Sequence, residues 1–391
     1  MKSYLFISNS TKPSREEAED ISPKKLGNVA RWPIEAAIAH GYKIFMGINR
    51  NHPEQVKSFE KYEISFYNSS TYRSIFAIKD NLQAFINLRK LLIDHPEIEF
   101  IHCNTPIGGL LGRVCGRIYG VKKVIYTAHG FHFFKGAPMF NRTILKWIEH
   151  CLAHWTDAIL VMNQEDYESA CKMHLRNNGK VYFVPGVGVD TKSFDYIKVD
   201  RIDMRKTLGL PEDALIAIAM GDIVPRKNYK AAIEAVAKAN RPNLHYIICG
   251  KGPQIDELKS LSANLGIAEQ IHFLGFRSDI KELALASDMF LFASLQEGLP
   301  RSTMEAMSAG LPCVISKIRG HVDLIENEQG GLLLDVDDIE GFAVALQKMV
   351  DDDAFRKKMG EIAKERVKAF DSEVVRGRIN EIYNDFLKAN Q

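Results

Sequence analysis

Glu297 and Glu305 stand eight residues apart in QEGLPRSTMEAMSAG, on either side of a Gly-Leu-Pro turn. The apolar residues 289–292 precede the turn, and a pattern of helical spacing follows it. In an open α/β sheet such a strand-to-helix turn lies at the carboxyl end of a strand, where these folds bind ligands. Gly298, Leu299 and Pro300 let backbone approach a ligand closely. A helix beginning at Arg301 and Ser302 offers unpaired N–H groups to an anion. An ionised acceptor such as Glu297 holds a hydroxyl with roughly 1.5–3 kcal/mol. Together these groups suit a ligand carrying both hydroxyls and phosphate, as a sugar nucleotide does. Ser302 and Glu305 also spell the S-x-x-E pattern of a capping box, in which the glutamate would reach back to the first helical N–H. Both uses of Glu305 are open at this level.

The segment GDIVPRKNYKAAIEAVA reads as a strand end, a turn with Pro225, Arg226 and Lys227, and then an amphipathic helix. A diphosphate needs its charge met, and one cation at 4 Å contributes roughly 4 kcal/mol at the effective dielectric of a protein surface. In IICGKGPQIDEL, Gly250 and Gly252 follow an apolar run, but Ile255 occupies the place of a third glycine, which disfavours a dinucleotide-binding hydride-transfer enzyme. The glycines are expected to shape a turn beneath the nucleotide. HFLGFRSDI puts Phe276 and Arg277 at the next strand end.

In YTAHGFHFFKGAPMF, His129 closes a strand, while His132 in the short loop after it reads either as a structural histidine or, with Phe131, Phe133, Phe134, Lys135 and Arg142, as part of a face turned to an acceptor or a membrane. Phe131, Phe133, Phe134 and Phe140 interleave with Lys135, Arg142 and Lys146. Apolar side chains that insert and basic ones that meet head groups suit an anionic lipid surface. The other reading is a loop folded into the core. The acidic runs 335–338 and 351–353 directly precede amphipathic patterns, so N-capping accounts for them and no catalytic metal is expected.

These residues need strands and helices to hold them. Apolar runs at 4–7, 43–48, 100–103, 124–127, 158–162 and 181–184 alternate with helical stretches, and a second set follows at 215–220, 245–249, 271–274, 289–292, 312–316 and 331–334. That alternation predicts an α/β fold of two Rossmann-like halves, each with a parallel sheet. A Gly-, Pro- and charge-rich stretch from 185 to 213 reads as linker and hinge, so the domains are expected at 1–195 and 196–370, with a final helix over 371–391.

At 391 residues the chain is long enough for two cores, and its 46% apolar and 26% charged residues are those of a soluble protein. No apolar run approaches the roughly 20 residues of a spanning helix. The first twenty residues are too short in apolar run and too acidic for a signal peptide, which points to the cytoplasm. The six cysteines are scattered without metal-site spacing, as in a reducing compartment. Net charge is +2, yet residues 1–190 hold 24 basic against 18 acidic residues, so this half meets anions more readily. Between 101 and 150, Arg113, Arg117, Lys122, Lys123, Lys135, Arg142 and Lys146 face the single acid Glu149. A nucleic-acid binder is disfavoured by the near-neutral total charge.

The combination of EGLPRSTMEAMSAGLPCVIS, GKGPQIDEL and HFLGFRSDI resembles the retaining family-4 glycosyltransferases of GT-B architecture. YTAHGFHFFKGAP and VPGVGVDTKSF look like the branch that builds bacterial capsular and exopolysaccharides. The resemblance implies two domains facing each other across a cleft, with the last helix packing back on the first. It implies transfer of a glycosyl group, with retention, from a nucleoside-diphosphate sugar, most commonly UDP-linked. It also implies a polyprenyl-diphosphate-linked saccharide as acceptor and a peripheral place on the membrane. The sugar nucleotide is a substrate, so no cofactor is expected.

In this likeness Glu305 binds the ribose, Lys227 the phosphate, and Phe276 and Arg277 the nucleobase. His129 lies beside the reacting sugar, and Gly27 in KKLGNVARW stands where the family has a Gly-rich loop near the diphosphate. The family's G-R-x-x-x-x-K-G pattern is broken: Asp222 stands for the arginine and Asn228 for the last glycine. Either Arg226 supplies the missing charge or Asp222 turns away to hold Lys227. Two alternatives share the architecture, a sugar-nucleotide epimerase and a non-catalytic subunit of a polysaccharide assembly complex.

Overall fold

The computed structural model describes residues 2–10, 12–22, 26–56, 61–72 and 77–389. The chain divides into two compact units, residues 1–187 together with 375–391, and residues 188–374. The passages between units therefore fall at 187/188 and 374/375, where the sequence suggested 195/196 and 370/371. The shift has a local cause. Val189 pairs with the segment around Asp371, its N–H donating to the Phe370 carbonyl at 3.1 Å and its carbonyl accepting from Ser372 at 2.9 Å, which gives residues 188–195 to the second unit.

The first unit carries seven strands: β1 (Ser3–Ile7), β2 (Lys43–Ile48), β3 (Ile64–Asn68), β4 (Ile98–Asn104), β5 (Lys123–Ala128), β6 (Ala158–Val161) and β7 (Lys180–Phe183). They order as β3-β2-β1-β4-β5-β6-β7, and every pairing is parallel. The sequence reading missed β3. It is an edge strand with one buried residue and four half-buried ones, so its hydrophobic signal is weak.

The second unit carries six: β8 (Leu215–Met220), β9 (Leu244–Cys249), β10 (Ile271–Gly275), β11 (Met289–Phe292), β12 (Cys313–Ser316) and β13 (Gly331–Leu334). Their order is β10-β9-β8-β11-β12-β13, again all parallel. Strand order reverses between β1 and β4 in one unit and between β8 and β11 in the other. At such a switch point the loops leave in opposite directions and open a crevice.

The central strands are buried on both faces, as parallel sheets require. One face of the first sheet packs under Leu88, Leu111 and Ala153 of the covering helices. The other face is closed by the last helix, Ser372–Ala389, through Val375, Ile379, Ile382, Tyr383, Phe386 and Leu387. Phe100 of β4 meets the Tyr4 ring at 4.9 Å and the Phe386 ring at 5.5 Å between centroids. The terminal helix thus belongs to the core of the first unit.

Candidate functional site

Lys227 and Glu297 leave the ends of β8 and β11, the two strands that flank the switch point of the second unit. Both are buried, and the lysine Nζ donates to Glu297 Oε1 at 2.7 Å. Ser294 Oγ donates to the same oxygen at 2.7 Å. The Nζ also lies 4.7 Å from the centre of the Phe292 ring. Burial pushes the Lys227 ammonium below the usual lysine value, and the adjacent carboxylate partly restores it. Lys227 is therefore held by Glu297, and Asp222 and Arg226 both stand exposed. Both also act on Lys227 through space, the Asp222 carboxylate favouring its charged form and the Arg226 guanidinium opposing it.

Gly250 and Gly252 set the height of the Lys227 loop. A Cβ on Gly250 would overlap the carbonyl of Gly221, and one on Gly252 the carbonyl of Ile223. Ile223 N–H donates to the Lys251 carbonyl at 2.9 Å, so the two loops are laced together. Arg277 bonds Asp279 at 2.8 Å through Nε, and Phe276 is 75% exposed, which excludes a core role for that ring.

The helix after Glu297 runs Arg301–Ser308 with Pro300 as its N-cap and no side-chain cap. The capping box read from Ser302 and Glu305 does not form. The N-cap is Pro300, two residues before Ser302, so Glu305 falls one turn inside and instead accepts from Arg301 Nε at 2.9 Å. The first N–H groups of this helix are left to a ligand or solvent. Thr303 Oγ1 is buried there with no hydrogen-bond partner among the described residues. Gly298 and Leu299 are half-buried on the approach.

Two residues of this site carried no signal in the sequence reading. Arg319, buried after β12, donates from Nε to the Glu297 carbonyl at 3.1 Å. His321 is wholly buried, with Nδ1 2.8 Å from the Ser316 carbonyl. A carbonyl can only accept, so Nδ1 carries the proton, and burial holds the ring's pKa down to about 4. Both come from a loop with no Gly-Pro turn beside a carboxylate, the pattern that had exposed Glu297.

In the first unit, His129 follows β5, and its Nε2 lies 2.9 Å from Asn104 Oδ1 at the end of β4. Burial lowers its pKa to about 4, so the ring is neutral near pH 7. Asn104 Nδ2 is buried without a partner among the described residues. At the β1/β4 switch point Asn9 takes the Gly108 N–H on Oδ1 at 2.7 Å and donates its own N–H to Thr105 Oγ1 at 3.0 Å. Gly27 is the N-cap of the helix Asn28–Ala39 and borders a hollow with Ser8, Asn9 and Asn49.

The loop after His129 corrects the sequence reading. Phe131 and Phe133 are 2% and 8% exposed, stacked on each other at 4.7 Å inside the core, so they face no membrane. Phe134 is half-buried, whereas His132, Lys135 and Arg142 are exposed. The apolar surface lies further on, at Met139, Phe140, Ile144 and Trp147, with Phe140 58% and Trp147 66% exposed. Arg113 also leaves the count of free basic groups: it is fully buried and bonds Glu149 through both terminal nitrogens, at 2.7 and 3.2 Å. The acidic runs act as caps, Asp338 accepting from Gly341 N–H and Asp352 from Phe355 N–H, each at 2.8 Å.

Residues 200–366 match the family described as glycosyl transferases group 1, and residues 26–163 match the glycosyl transferase 4-like family. The chain is 32% identical over 313 residues to EpsD of Bacillus subtilis strain 168, covering 78% of this chain and 81% of that one. It is also 32% identical over 294 residues to the UDP-Gal:alpha-D-GlcNAc-diphosphoundecaprenol alpha-1,3-galactosyltransferase of Escherichia coli, covering 74% and 75%. The chain belongs to the group 1 glycosyltransferases. HepE of Anabaena, solved in complex with UDP and glucose, shares the fold of this glycosyltransferase at a TM-score of 0.73 and 17% identity, over 98% of this chain and 100% of that one. The glycosyltransferase has the GT-B pair of Rossmann-like units and the terminal helix returning to the first. These matches do not favour an epimerase or a non-catalytic subunit.

Proposed function

We propose that this glycosyltransferase moves a hexosyl group, with retention, from a UDP-sugar to a polyprenyl-diphosphate-linked saccharide in the synthesis of a bacterial surface polysaccharide. The observation that carries the reading is the buried Lys227–Glu297 pair at the β8/β11 switch point, beside a helix start without a side-chain cap. An ammonium has three donors and Glu297 takes one. The others can meet the diphosphate as the bond from sugar C1 to phosphate oxygen breaks and the bond from C1 to the acceptor oxygen forms. The acceptor's proton leaves with the departing phosphate. Glu297 keeps Lys227 in place and offers its second oxygen to a sugar hydroxyl, and Glu305 offers its free lone pairs to the ribose.

Neutral His129 serves as a hydrogen-bonding group for donor or acceptor. The printed substrates of the Escherichia coli relative support UDP and the lipid-linked acceptor, and the UDP complex of HepE supports the base. Metal independence is part of the same proposal. No described helix is long and apolar enough to cross a membrane. Lys135, Arg142 and Lys146, with Phe140 and Trp147, would hold the enzyme peripherally on an anionic bilayer at the cytoplasmic face.

A thermal-shift panel of UDP, GDP, ADP and TDP tests the donor. A ligand at 100 times its Kd adds about 2.7 kcal/mol, so UDP should stand apart from the others. Transfer to a polyprenyl-diphosphate saccharide, unaffected by EDTA and giving the donor's anomeric configuration by NMR, completes the test. Turnover of donor without acceptor would favour the epimerase instead.

A further inference from the structure

The two ends of the Asn104 amide are unequally placed. Its Oδ1 lies 2.9 Å from His129 Nε2. An amide oxygen only accepts, so Nε2 carries the proton of the neutral imidazole and Nδ1 is left as a bare acceptor. Its Nδ2 is buried without a hydrogen-bond partner among the described residues, and so is the indole Nε1 of Trp32. Both residues are deep in the first unit, Asn104 1% and Trp32 4% exposed. A buried donor without an acceptor is costly, so a pair of them in one place calls for an explanation.

Trp32, Asn104 and His129 border one cavity of about 20 Å³, whose walls also include Leu160, Val184 and Ile379. That volume admits a single water-sized oxygen. The surrounding groups select its chemistry. Asn104 and Trp32 have N–H groups to give, and His129 Nδ1 has a lone pair to fill. A carboxylate or phosphate oxygen cannot donate to Nδ1, and an ammonium cannot accept from the two N–H groups. A hydroxyl does both, because its lone pairs take the Asn104 and Trp32 donors while its proton goes to His129. The guanidinium carbons of Arg31 and Arg376 lie 4.7 and 5.8 Å from the centre of the Trp32 ring, which holds the indole in place.

We propose that Trp32, Asn104 and His129 form a pocket for one hydroxyl of a saccharide substrate, carried by the donor sugar or by the lipid-linked acceptor. The inference rests on the sugar-transfer reading above and makes Trp32 and Asn104 specificity residues, since a site built to hydrogen-bond a hydroxyl rejects the analogue that lacks it.

The test compares wild type with Trp32→Phe, which removes the indole N–H and keeps an aromatic ring, and with Asn104→Asp, which keeps the shape and loses the amide donors. Either variant decides the matter should the other not fold. Calorimetric titration with UDP, UDP-glucose, UDP-galactose and UDP-N-acetylglucosamine reads the donor, and the KM of the polyprenyl-diphosphate saccharide reads the acceptor. A donor hydroxyl predicts that the variants bind the best UDP-sugar about 10-fold more weakly and UDP within about twofold of wild type. An acceptor hydroxyl predicts an acceptor KM about 10-fold higher with UDP-sugar affinity unchanged. The substrate deoxygenated at the bound position should erase the difference between wild type and Trp32→Phe, and a difference that survives every monodeoxy derivative overturns the proposal. A resident water satisfying the same three atoms would leave affinities and KM unchanged in the folded variants, and a purely structural role would weaken UDP as much as the UDP-sugar; either result overturns it too. A wild type that neither binds a UDP-sugar nor transfers one removes the sugar-transfer reading and this inference with it, whereas wild-type transfer with unchanged variants removes this inference alone.

Discussion

His102 Nδ1 lies 2.6 Å from the hydroxyl of Tyr383, a residue 281 positions further along the chain. Its Nε2 lies 2.7 Å from Thr127 Oγ1, and Tyr383 Oη continues to Tyr4 Oη at 2.9 Å. The buried line runs from β5, two residues before His129, through β4 to the terminal helix. It fixes that helix by polar contacts as well as by its apolar face. Tyr383→Phe leaves His102 and Tyr4 short of a partner inside the core, and an unsatisfied buried group costs about 1–3 kcal/mol. Urea denaturation should show that loss in the first unit, and an unchanged midpoint would refute the coupling.

His102 and His321 also predict an acid-sensitive fold. In the native state burial holds them near pKa 3 and 4, against 6.5 for the unfolded side chain. Below pH 6.5 the unfolded chain takes up protons that the folded chain refuses, so it binds more protons and stability falls as pH falls. Each histidine contributes a slope of up to about 1.4 kcal/mol per pH unit. Thermal melts between pH 7 and 4.5 should follow this decline, and His321→Asn should flatten it. A flat wild-type profile contradicts the assignment of neutral, buried rings.

Breaking the Lys227–Glu297 pair from one side should cost more than activity. Lys227→Ala leaves a carboxylate buried without its cation, a loss of about 3–5 kcal/mol. Turnover should fall by roughly 10²–10³ with it. The double variant Lys227→Met/Glu297→Leu should recover much of the stability and none of the activity. Denaturation and transfer assays on the three proteins separate the two effects.

Gly252→Ala places a methyl group onto the Ile223 carbonyl. The loop carrying Lys227 must move to admit it, and a displacement of about 1 Å in a positioning element can cost about 10²-fold in rate. Nucleoside diphosphate affinity should fall with the rate while the far-UV spectrum stays that of wild type. Full activity in this variant would mean that the loop tolerates being lifted.

The membrane surface is testable by contrast. Phe140→Ser/Trp147→Ser should reduce co-sedimentation with phosphatidylglycerol vesicles while the melting temperature holds. Phe133→Ala should do the reverse, losing about 3–5 kcal/mol of stability from the core with vesicle binding unchanged in the folded fraction. Equal vesicle binding by the surface double variant and wild type would remove this face from the interaction.

Much of the site was legible because its chemistry is local. Glu297, Pro300 and Lys227 announce themselves through a turn beside an apolar run, and β11 is buried throughout and β8 in all but its first residue, so their sequences are continuous hydrophobic runs. The acidic runs were legible for the same reason, since a cap bonds only a few residues away. Arg319 and His321 were not, because a single arginine or histidine in a loop looks alike whether it is solvated or locked against a carbonyl. Ser302 and Glu305 show the opposite failure. Their spacing fits a capping box, but the helix begins at Arg301 with Pro300 as its N-cap.

The sequence by itself determined the alternation of strands and helices, the two Rossmann-like halves and the turn that bears Glu297, because burial on both faces of a parallel sheet imprints itself on consecutive residues. Only the tertiary structure decided which groups meet. Strand order set β8 beside β11 and so joined Lys227 to Glu297 across 70 positions. It sent Phe131 and Phe133 inward and left Phe140 and Trp147 outward. It also buried Arg113 against Glu149 instead of leaving it on a basic face. Long-range pairing and the direction a side chain faces depend on what the rest of the chain places opposite it, and no local pattern records that.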